Sequence, residues 1–428
     1  MDNIEDKNHF IHAFRQSSPY INTHRKKTFV IHLDGHTLRH SSISRIIHDI
    51  ALLKSLGVKI VLVYGTKPQI DEALTEQNIA FESHDGKRIT SFEALELIKQ
   101  ISGKARFELE AQFSTGLPNT PMFGANIRTL SGNFVIAKPI GVIDGHDFQF
   151  TGAVRRIDIE SIKLLLDDDA VVLIPNIAFS ATGECFNIAA EEIAVQTAKA
   201  LGAEKLIVFS DDKNLEQLPH ELLPHEAEQL LAQQNNSSLA CIYQGCMAGI
   251  NRSHIISYEQ DGALLLELFS RDGSGVMLSK KAFESIRAAT IADVGGIMEL
   301  LEPLEQQGIL VKRERELLEQ EIAHFIVVER DGIIIGCSAL YPYQDSAEIA
   351  CVVTHPDYRG GNHGAKMLNI LQQKAAQAGI KDVFVLTTQS AHFFLELGFE
   401  ETSLQALPTA KQALYNFQRK SKVFSKRL

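Results

Sequence analysis

The sequence predicts an α/β protein in which a three-layer domain on a mostly parallel sheet precedes a smaller α+β domain. Over the first 280 residues, strand and helix patterns alternate, and several strands are apolar without alternation, as expected when helices cover both faces of a sheet. After about Ser279 a new unit begins, with two helical patterns, three strand patterns and a glycine-rich turn.

Composition limits the class of protein. At 428 residues and 45% hydrophobic content, the chain should form two or three domains. The 42 basic and 53 acidic residues give a net charge of −11, which argues against a nucleic-acid partner. Five cysteines without a CxxC pair favour reduced thiols over disulfides or zinc. Without a leader pattern or an apolar run near eighteen residues, we expect a cytoplasmic protein with no membrane partner. The scattered His residues show no ligand spacing such as HExxH, so we expect no metal.

The elements of the first domain follow one another along the chain. Residues 1–20 predict a helical arm that could serve assembly, and residues 21–280 predict the three-layer domain. The strand patterns are TFVIHL, VKIVLVYG, NFVIAKP, AVVLIPN, KLIVFS and HIISY, and the helical patterns are ISRIIHDIALLKSLG, PQIDEALTEQ and EEIAVQTAKALG. From about Asp212 to Gln244 the pattern weakens, and we expect a helical segment and a surface loop.

The second domain is predicted over residues 287–428. Thr290 is a plausible N-cap for its first helix, and a second helix is expected from about Glu314 to Ala323. The strands HFIVVER, GIIIGCSALYPY and AEIACVVTH follow, with a hairpin turn at Arg330–Gly332.

The stretch from Glu348 to Ala365 is the most informative motif. A buried strand pattern ends at Pro356, a turn of small residues follows, and a helical pattern then runs to Gly379. A strand, a glycine-rich turn and a helix in this order bring backbone N–H groups and the helix dipole to a phosphate. The motif therefore predicts an acyl-CoA site.

This motif resembles the GCN5-related N-acetyltransferase (GNAT) family, as do the strand VFVLTT and the segment HFFLELGFEE. Arg359, Asn362 and Gly364 match the first, fourth and sixth positions of the R/Q-x-x-G-x-G/A pyrophosphate loop, although glycine is usual at Asn362. Asparagine tolerates the left-handed conformation that the turn requires. The resemblance implies that acetyl-CoA is held by Cys351, Val352, Val353, Arg359, Gly360, Gly361, Asn362, His363, Gly364 and Ala365.

The first domain resembles the amino-acid kinase family, but its expected catalytic positions are altered. The family's KxGG motif is replaced by His32-Leu33-Asp34-Gly35, and its GGGP turn is replaced by Gly65-Thr66-Lys67-Pro68. A second expected lysine is absent from Gln244–Ala248. Without these lysines and glycines, the charge clamp and the close backbone approach of phosphoryl transfer are lost. We expect no kinase activity.

A kinase-like domain followed by a GNAT domain resembles the family of bacterial N-acetylglutamate synthases, and the likeness covers nearly the whole chain. It includes the stretches PYINTHRKKTFVI, PLEQQGILVKRERE and LYNFQRKSKV. The resemblance implies acetyl transfer from acetyl-CoA to L-glutamate by direct attack in a ternary complex, the first step of arginine biosynthesis. It also implies allosteric feedback inhibition by L-arginine and a homo-oligomer, namely a hexamer.

Two catalytic residues follow from this resemblance. Glu348 is the candidate base, and its alternative is a solvent-facing carboxylate at a strand end. Cys351 lacks a nearby His and Asn/Asp arrangement that would activate a thiolate, so it is interpreted as a strand residue that lines the thioester site. The tyrosine that serves as general acid in many relatives is replaced here by Phe394, which has no proton to give. By family analogy the resemblance implies Ser390 as the acid; alternatively, Ser390 is simply a helix N-cap.

Substrate and effector sites are implied in the same way. A glutamate site needs bidentate cations, and the family's positions map to Leu310, Arg313, Arg419 and Ser421. Alternatively, both basic segments are ordinary solvated faces. The arginine pocket maps to Tyr20, His254, Glu267, Arg271, Gly273 and Gly275. His254 is an equally plausible core histidine.

Other functions stay open at this point. The chain could be an active acylamino-acid kinase, although His32 and Asp34 argue against it. It could also be a non-catalytic sensor of arginine and acetyl-CoA, or an acetyltransferase for another amino acid or a protein amine.

Overall fold

The computed structural model describes residues 2–84, 86–116, 118, 120–270, 273–280, 284–330, 332–413, 415 and 421–428. The chain divides into two compact units, Met1–Lys281 and Ala282–Leu428. Among the described residues, no helix is both long and apolar enough to cross a membrane.

The first unit alternates helices and strands, as its sequence pattern predicts. The helices are α1 (Asp2–His24), α2 (Gly35–Arg39), α3 (Ile43–Ser55), α4 (Lys67–Glu76), α5 (Phe92–Phe113), α6 (Ile159–Asp167), α7 (Ala190–Leu201), α8 (Asp212–Leu215), α9 (Pro224–Gln233), α10 (Ser237–Met247) and α11 (Ala263–Phe269). The strands are β1 (Thr28–Leu33), β2 (Lys59–Tyr64), β3 (Ser83–His84), β4 (Lys87–Arg88), β5 (Thr129–Ser131), β6 (Val135–Pro139), β7 (Val142–Ile143), β8 (His146–Asp147), β9 (Gly152–Ile157), β10 (Val171–Pro175), β11 (Ile177–Phe179), β12 (Cys185–Asn187), β13 (Lys205–Ser210), β14 (Glu221–Leu222), β15 (Arg252–Ser257) and β16 (Val276–Ser279).

The main sheet of this unit has the described strand order β14-β16-β15-β13-β1-β2-β10-β5. All of its neighbours are parallel except β15 and β16. Helices α3, α5 and α11 supply one apolar core and helices α6, α7 and α10 supply the other, so both faces are covered. The predicted three-layer α/β fold is confirmed.

Two parts of the first unit differ from the sequence-based expectation. The segment Asp212–Gln244 was expected to be one helix and a loop, but it contains α8, α9 and most of α10, with a short strand between. Helix α10 buries Leu239, Ile242 and Cys246, and this tertiary contact stabilises a helix that local composition alone predicts weakly. The long helix α5 and the small sheet β12-β11-β6-β9 were also not predicted.

The second unit is an α+β domain. Its helices are α12 (Val294–Gln306), α13 (Arg315–Glu321), α14 (His363–Gln377), α15 (Ala391–Glu396) and α16 (Thr409–Ala413). Its strands are β17 (Glu284–Ala288), β18 (Phe325–Arg330), β19 (Ile333–Tyr343), β20 (Ser346–Thr354), β21 (Asp382–Thr387), β22 (Glu400–Thr402) and β23 (Lys422–Arg427). Before α12, the N–H of Thr290 donates to Asp293 Oδ2 at 2.7 Å, which supports the predicted helix start.

The sheet of the second unit has the described order β17-β18-β19-β20-β21-β23-β22. Its pairs are antiparallel except β20 and β21, which are parallel. Helix α14 packs on one face through Met367 and Leu371, and helix α12 packs on the other through Ile297 and Leu301. The strands β18, β19 and β20 and the helix that follows the glycine-rich turn agree with the sequence-based prediction.

Candidate functional site

A β-bulge in β20 determines which residues share the site. Cys337 pairs with Val353 and Ala339 with Ala350, so β20 contains one more residue than β19 between these pairs. Cys351 has a φ of 53°, in the left-handed region that costs a non-glycine residue about 1–2 kcal/mol. Such bulges redirect side chains and often lie next to active sites.

The bulge reverses the alternation of side chains along β20. Ala347 and Ile349 pack into the core beneath α14, whereas Cys351 and Val353 pack into the core beneath α12. Glu348 precedes Ile349 directly, so the two side chains point to opposite faces of the sheet. Across the ladder Glu348 pairs with Tyr341, which packs on the α12 side. The bulge therefore places Glu348 on the same face as Cys351 and Val353.

Glu348 lies where two parallel strands separate. Strand β21 pairs with β20 only from Ser346 to Glu348, and β20 then continues to Thr354 without another described strand partner on that edge. An open strand edge presents backbone N–H and C=O groups that can bind the amides of an extended ligand. Glu348 is 7% exposed, so the alternative interpretation of a solvent-facing carboxylate is not supported.

The predicted pyrophosphate loop follows β20 directly. Gly360 has a φ of 98° and Asn362 a φ of 59°, so the turn uses left-handed conformations at both positions. Asn362 occupies the N-cap of α14 without a side-chain capping hydrogen bond. Since the Asn362 side chain does not cap the helix, the backbone N–H groups of the first turn of α14 can bind an anion.

Three residues of this loop have clear packing roles. His363 is 6% exposed and its Nδ1 lies 3.4 Å from Glu284 Oε2. A Cβ on Gly361 would overlap the His363 imidazole, and a Cβ on Gly364 would press against Phe393. The residues of the loop can therefore meet a ligand through their main chain rather than through these side chains.

Arg313 lies beside the bulge, on the segment between α12 and α13. Its backbone N–H donates to Glu305 Oε1 at 3.1 Å, and its Nη1 donates to the Val311 carbonyl at 3.1 Å. Burial opposes its charge, yet the neighbouring Cys351 and Tyr341 outweigh burial and raise the pKa of Arg313. The guanidinium stays charged on the same face as Glu348.

Tyr341 and Glu321 belong to this face and were missed by sequence reasoning. The Tyr341 hydroxyl donates to Glu321 Oε2 at 2.6 Å. Burial and this hydrogen bond together raise the pKa of Tyr341 well above its usual value. The two residues lie twenty positions apart, Glu321 at the end of α13 and Tyr341 on β19, so only the packing of α13 on the sheet brings them together.

Cys351 is a poor nucleophile in this setting. It is 4% exposed, and burial raises the pKa of its thiol to about 11 despite the nearby Arg313. Because the thiolate is the reactive form, the geometry favours the predicted lining role over a covalent one.

Ser390 and Ser421 lie near the carboxyl end of β21, at the same end of the parallel pair as the opening. Ser390 takes the N-cap position of α15, but its side chain makes no capping hydrogen bond in the described structure. Phe394 is buried between Phe393 and Phe399 and has no hydroxyl to offer. Ser421 is 9% exposed, and its carbonyl accepts a hydrogen bond of 2.7 Å from Tyr415.

The other substrate residues are only partly described. Leu310 packs against the core beneath α12, close to Arg313. Arg419 lies outside the described residues.

Lys411 is the cation that sequence reasoning did not find. Its Nζ lies 2.6 Å from Glu348 Oε2, and the two side chains are 19% and 9% exposed. Lys411 belongs to α16, a short polar helix with no motif, so no sequence signal points to it.

His254 and Glu267, two of the predicted effector residues, form a buried polar chain with Lys205, which was not predicted. His254 Nδ1 lies 2.6 Å from Glu267 Oε1, and Lys205 Nζ lies 3.2 Å from His254 Nε2. Burial, reinforced by Lys205, lowers the pKa of His254 to about 4. A neutral imidazole that accepts from Lys205 and donates to Glu267 fits these contacts.

Glu267 already has several partners. Its Oε2 accepts 2.8 Å hydrogen bonds from the backbone N–H groups of Ser274 and Gly275. Burial opposes ionisation, but the hydrogen bonds from His254 and these amides lower the pKa of Glu267. His254 is thus buried and hydrogen-bonded through both ring nitrogens.

The two predicted glycines, Gly273 and Gly275, allow neighbouring groups of the protein itself to approach their backbone closely. Gly273 has a φ of 65°, and a Cβ there would press on Glu267. A Cβ on Gly275 would overlap the Ile255 carbonyl.

Tyr20 lies on α1, which packs against the helix that carries Glu267. Ser17 Oγ donates to the Phe269 carbonyl at 3.2 Å, and His24 Nε2 lies 2.9 Å from the Leu268 carbonyl. Arg271 lies outside the described residues.

Asp34, one of the altered kinase positions, has a structural role. Asp34 caps α2, accepting from the Thr37 N–H at 2.8 Å. Gln69 Nε2 donates to the Gly35 carbonyl at 2.7 Å, so its side chain fills the space beside this glycine. His32 is 2% exposed, and neither of its ring nitrogens has a hydrogen-bond partner in the described structure.

Among the described residues, no cluster of His, Cys, Asp or Glu could hold a metal ion.

Together, the two units define a kinase-like domain joined to an acetyltransferase domain. Comparison with known families agrees. Residues 27–216 match the amino acid kinase family, and residues 321–401 match the acetyltransferase (GNAT) domain. The second match includes Glu348 and the whole predicted pyrophosphate loop.

Similar proteins identify the family. The amino-acid acetyltransferase of Photobacterium profundum is 50% identical, over 96% of this chain and 97% of that protein. The amino-acid acetyltransferase of Azotobacter vinelandii is 46% identical, over 98% and 99%. The chain belongs to the amino-acid acetyltransferase family, and it is an acyltransferase that uses acetyl-CoA.

Solved structures support the same assignment. N-acetylglutamate synthase from Neisseria gonorrhoeae complexed with coenzyme A and L-arginine has a TM-score of 0.89 and 32% identity, with 98% of this chain and 99% of that chain covered. The same enzyme complexed with coenzyme A and N-acetyl-glutamate has a TM-score of 0.61 and 34% identity, with the same coverage. The resemblance to bacterial N-acetylglutamate synthases is confirmed.

Asn362 offers a test of the pyrophosphate loop. We expect Asn362→Val to weaken coenzyme A binding about tenfold, because a β-branched residue in the left-handed conformation costs about 1–2 kcal/mol. Asn362→Gly, the matched control, should bind at least as tightly as the natural chain. Isothermal titration with coenzyme A measures both. Equal binding by the valine variant would show that this turn does not hold the coenzyme.

Proposed function

We propose that the chain transfers the acetyl group of acetyl-CoA to the α-amine of L-glutamate and releases N-acetyl-L-glutamate and coenzyme A. The observation that carries this proposal is the position of Glu348, buried where β20 and β21 separate and on the same face as Arg313. The gonococcal synthase with bound coenzyme A and N-acetyl-glutamate supports the choice of acceptor.

Glu348 is proposed as the general base. An amine attacks a thioester only as the free base, so a carboxylate within reach of the acceptor ammonium is required. The open edge of β20 after Glu348 is suited to the extended arm of acetyl-CoA, with the carbonyl directed to the main chain at Cys351–Val353. The amine then attacks directly, without an acetyl-cysteine.

Arg313 is proposed to bind a carboxylate of glutamate. A guanidinium recognises a carboxylate through two parallel hydrogen bonds, which fixes orientation as well as charge. Arg313 is also half-buried beside the bulge. Leu310, Arg419 and Ser421 are the further substrate residues that the resemblance implies.

L-arginine is proposed as an inhibitor that binds the first unit near Glu267. The gonococcal synthase complexed with L-arginine supports an arginine effector. Glu267 is a buried carboxylate held by His254 and two backbone amides. A guanidinium is a stronger partner than a neutral imidazole, so arginine can replace His254 at this carboxylate. The hexamer and the cytoplasmic location stay predictions from the sequence.

An acceptor comparison tests the proposed reaction. With acetyl-CoA in excess, we expect coenzyme A release to be fastest with L-glutamate, because Arg313 and the implied Arg419 can each meet one of its two carboxylates. Thiol release is measured with aspartate, ornithine and lysine in parallel. A second amino acid that matches glutamate would contradict the substrate assignment.

Glu348→Gln tests the base. The turnover number should fall about a hundred- to ten-thousandfold, because glutamine cannot take the proton. Coenzyme A binding by calorimetry should stay within about twofold, which separates lost chemistry from lost folding. Glu299→Gln, an exposed change on α12, is the control. Unchanged turnover in Glu348→Gln would favour a different base.

Glu267→Gln tests the effector site. Loss of the carboxylate charge should raise the arginine concentration for half-maximal inhibition about tenfold or more, because a charge-assisted hydrogen bond contributes about 1.5–3 kcal/mol. The control is Glu228→Gln, an exposed position on α9. Inhibition curves that coincide for the two variants would place arginine elsewhere.

A further inference from the structure

Lys411 puts a primary amine directly at the proposed base. Its Nζ lies 2.6 Å from Glu348 Oε2, at hydrogen-bonding distance, and its side chain is only 19% exposed. The ammonium of the incoming acceptor must reach this same carboxylate. Lys411 therefore occupies, within the protein, the position that the proposed reaction assigns to the substrate amine.

The segment that carries Lys411 is anchored to the sheet. Leu407 is 5% exposed and packs with Phe384 and Val423, and Phe384 pairs with Glu348 across β20 and β21. Gln412 Nε2 donates to the Leu407 carbonyl at 2.7 Å. These contacts fix α16 next to Glu348, so the lysine differs from a mobile surface side chain.

We propose that the acetyltransferase domain acetylates its own Lys411 when acetyl-CoA is bound and no free amino acid is present. The proposal rests on the proposed function, because it uses the same base and the same thioester. Glu348 lies where the strands separate, so the amine of Lys411 stands at the mouth of the opening in which acetyl-CoA is placed. A tethered amine also has a high effective concentration.

The step balances without a further reactant. Glu348 takes one proton from the Lys411 ammonium, and the freed nitrogen attacks the thioester carbonyl. A C–N bond forms, the C–S bond breaks, and the coenzyme A thiolate leaves and takes up a proton. The products are N-acetyl-lysine at position 411, free coenzyme A and one released proton.

Acetylation of Lys411 is a covalent and therefore lasting change to the site. The acetylated nitrogen carries no charge and cannot form the ion pair with Glu348. L-glutamate, whose ammonium needs the same carboxylate, protects Lys411 by occupying Glu348. The modification therefore records exposure to acetyl-CoA in the absence of acceptor.

Peptide mass spectrometry on the full-length chain tests the proposal. The protein is incubated with acetyl-CoA alone, and the mass of the Lys411 peptide should rise by about 42 Da, the mass of an added acetyl group. Saturating L-glutamate should suppress this increase. Glu348→Gln should acetylate Lys411 about a hundredfold more slowly, because it lacks the base.

Lys381 is the internal control for unassisted chemical acetylation, since it also faces an acid, Asp345 at 3.8 Å, but is 67% exposed. The proposal is overturned if Lys411 is acetylated no faster than Lys381, or if its acetylation is unchanged in Glu348→Gln.

Glutamate-dependent coenzyme A release is measured on the same samples. If that release depends on Glu348 while Lys411 stays unmodified, self-acetylation fails and the proposed function stands. If the release is unaffected in Glu348→Gln, the assignment of the base fails.

Discussion

The extra residue at Cys351 is the constraint on which the second unit depends. Without the bulge, Glu348 and Cys351 would face opposite sides of the sheet, because side chains alternate along a strand. With it, Glu348, Cys351 and Val353 share the face on which Arg313 lies. The separation of β20 from β21 immediately after Glu348 then leaves a strand edge beside the base. The left-handed backbone of Cys351 thus costs conformational free energy locally, and it brings the residues of the site onto one face of the sheet.

The first unit keeps the kinase-like architecture while its polar residues serve other contacts. Asp34 caps a helix and Gln69 fills the space beside Gly35, where close approach of a phosphate would be needed. Elsewhere in this unit, Lys205 and His254 on the sheet and Glu267 on α11 form a buried chain in which a neutral histidine joins a cation to a carboxylate. A buried polar group that loses its hydrogen bond destabilises the protein, so a ligand that replaces one member of this chain must supply an equivalent hydrogen bond.

Sequence patterns predicted the elements whose signals are local. The strands around Glu348, the glycine-rich turn and the left-handed Asn362 depend on residues close in the chain, and the structure contains all of them. Helix α10 was missed because tertiary burial outweighs its weak local pattern. The contact of Lys411 with Glu348 joins positions 63 residues apart on a helix without a motif. Only the anchoring of that helix to the sheet creates it.

Two cations compete for one carboxylate in this site. Lys411 is tethered and already in contact with Glu348, whereas glutamate must diffuse in, so the tethered amine has the entropic advantage. Glutamate offsets this entropic advantage with additional ion pairs. Its ammonium can take over Glu348 while its carboxylates pair with Arg313 or with the displaced Lys411 ammonium. The exchange replaces the Lys411–Glu348 ion pair by pairs to the ammonium and the carboxylates of glutamate, so no buried charge is left alone, which would cost several kcal/mol. An acceptor with an amine but no carboxylate would displace Lys411 without offering it a partner, and it would therefore bind less well.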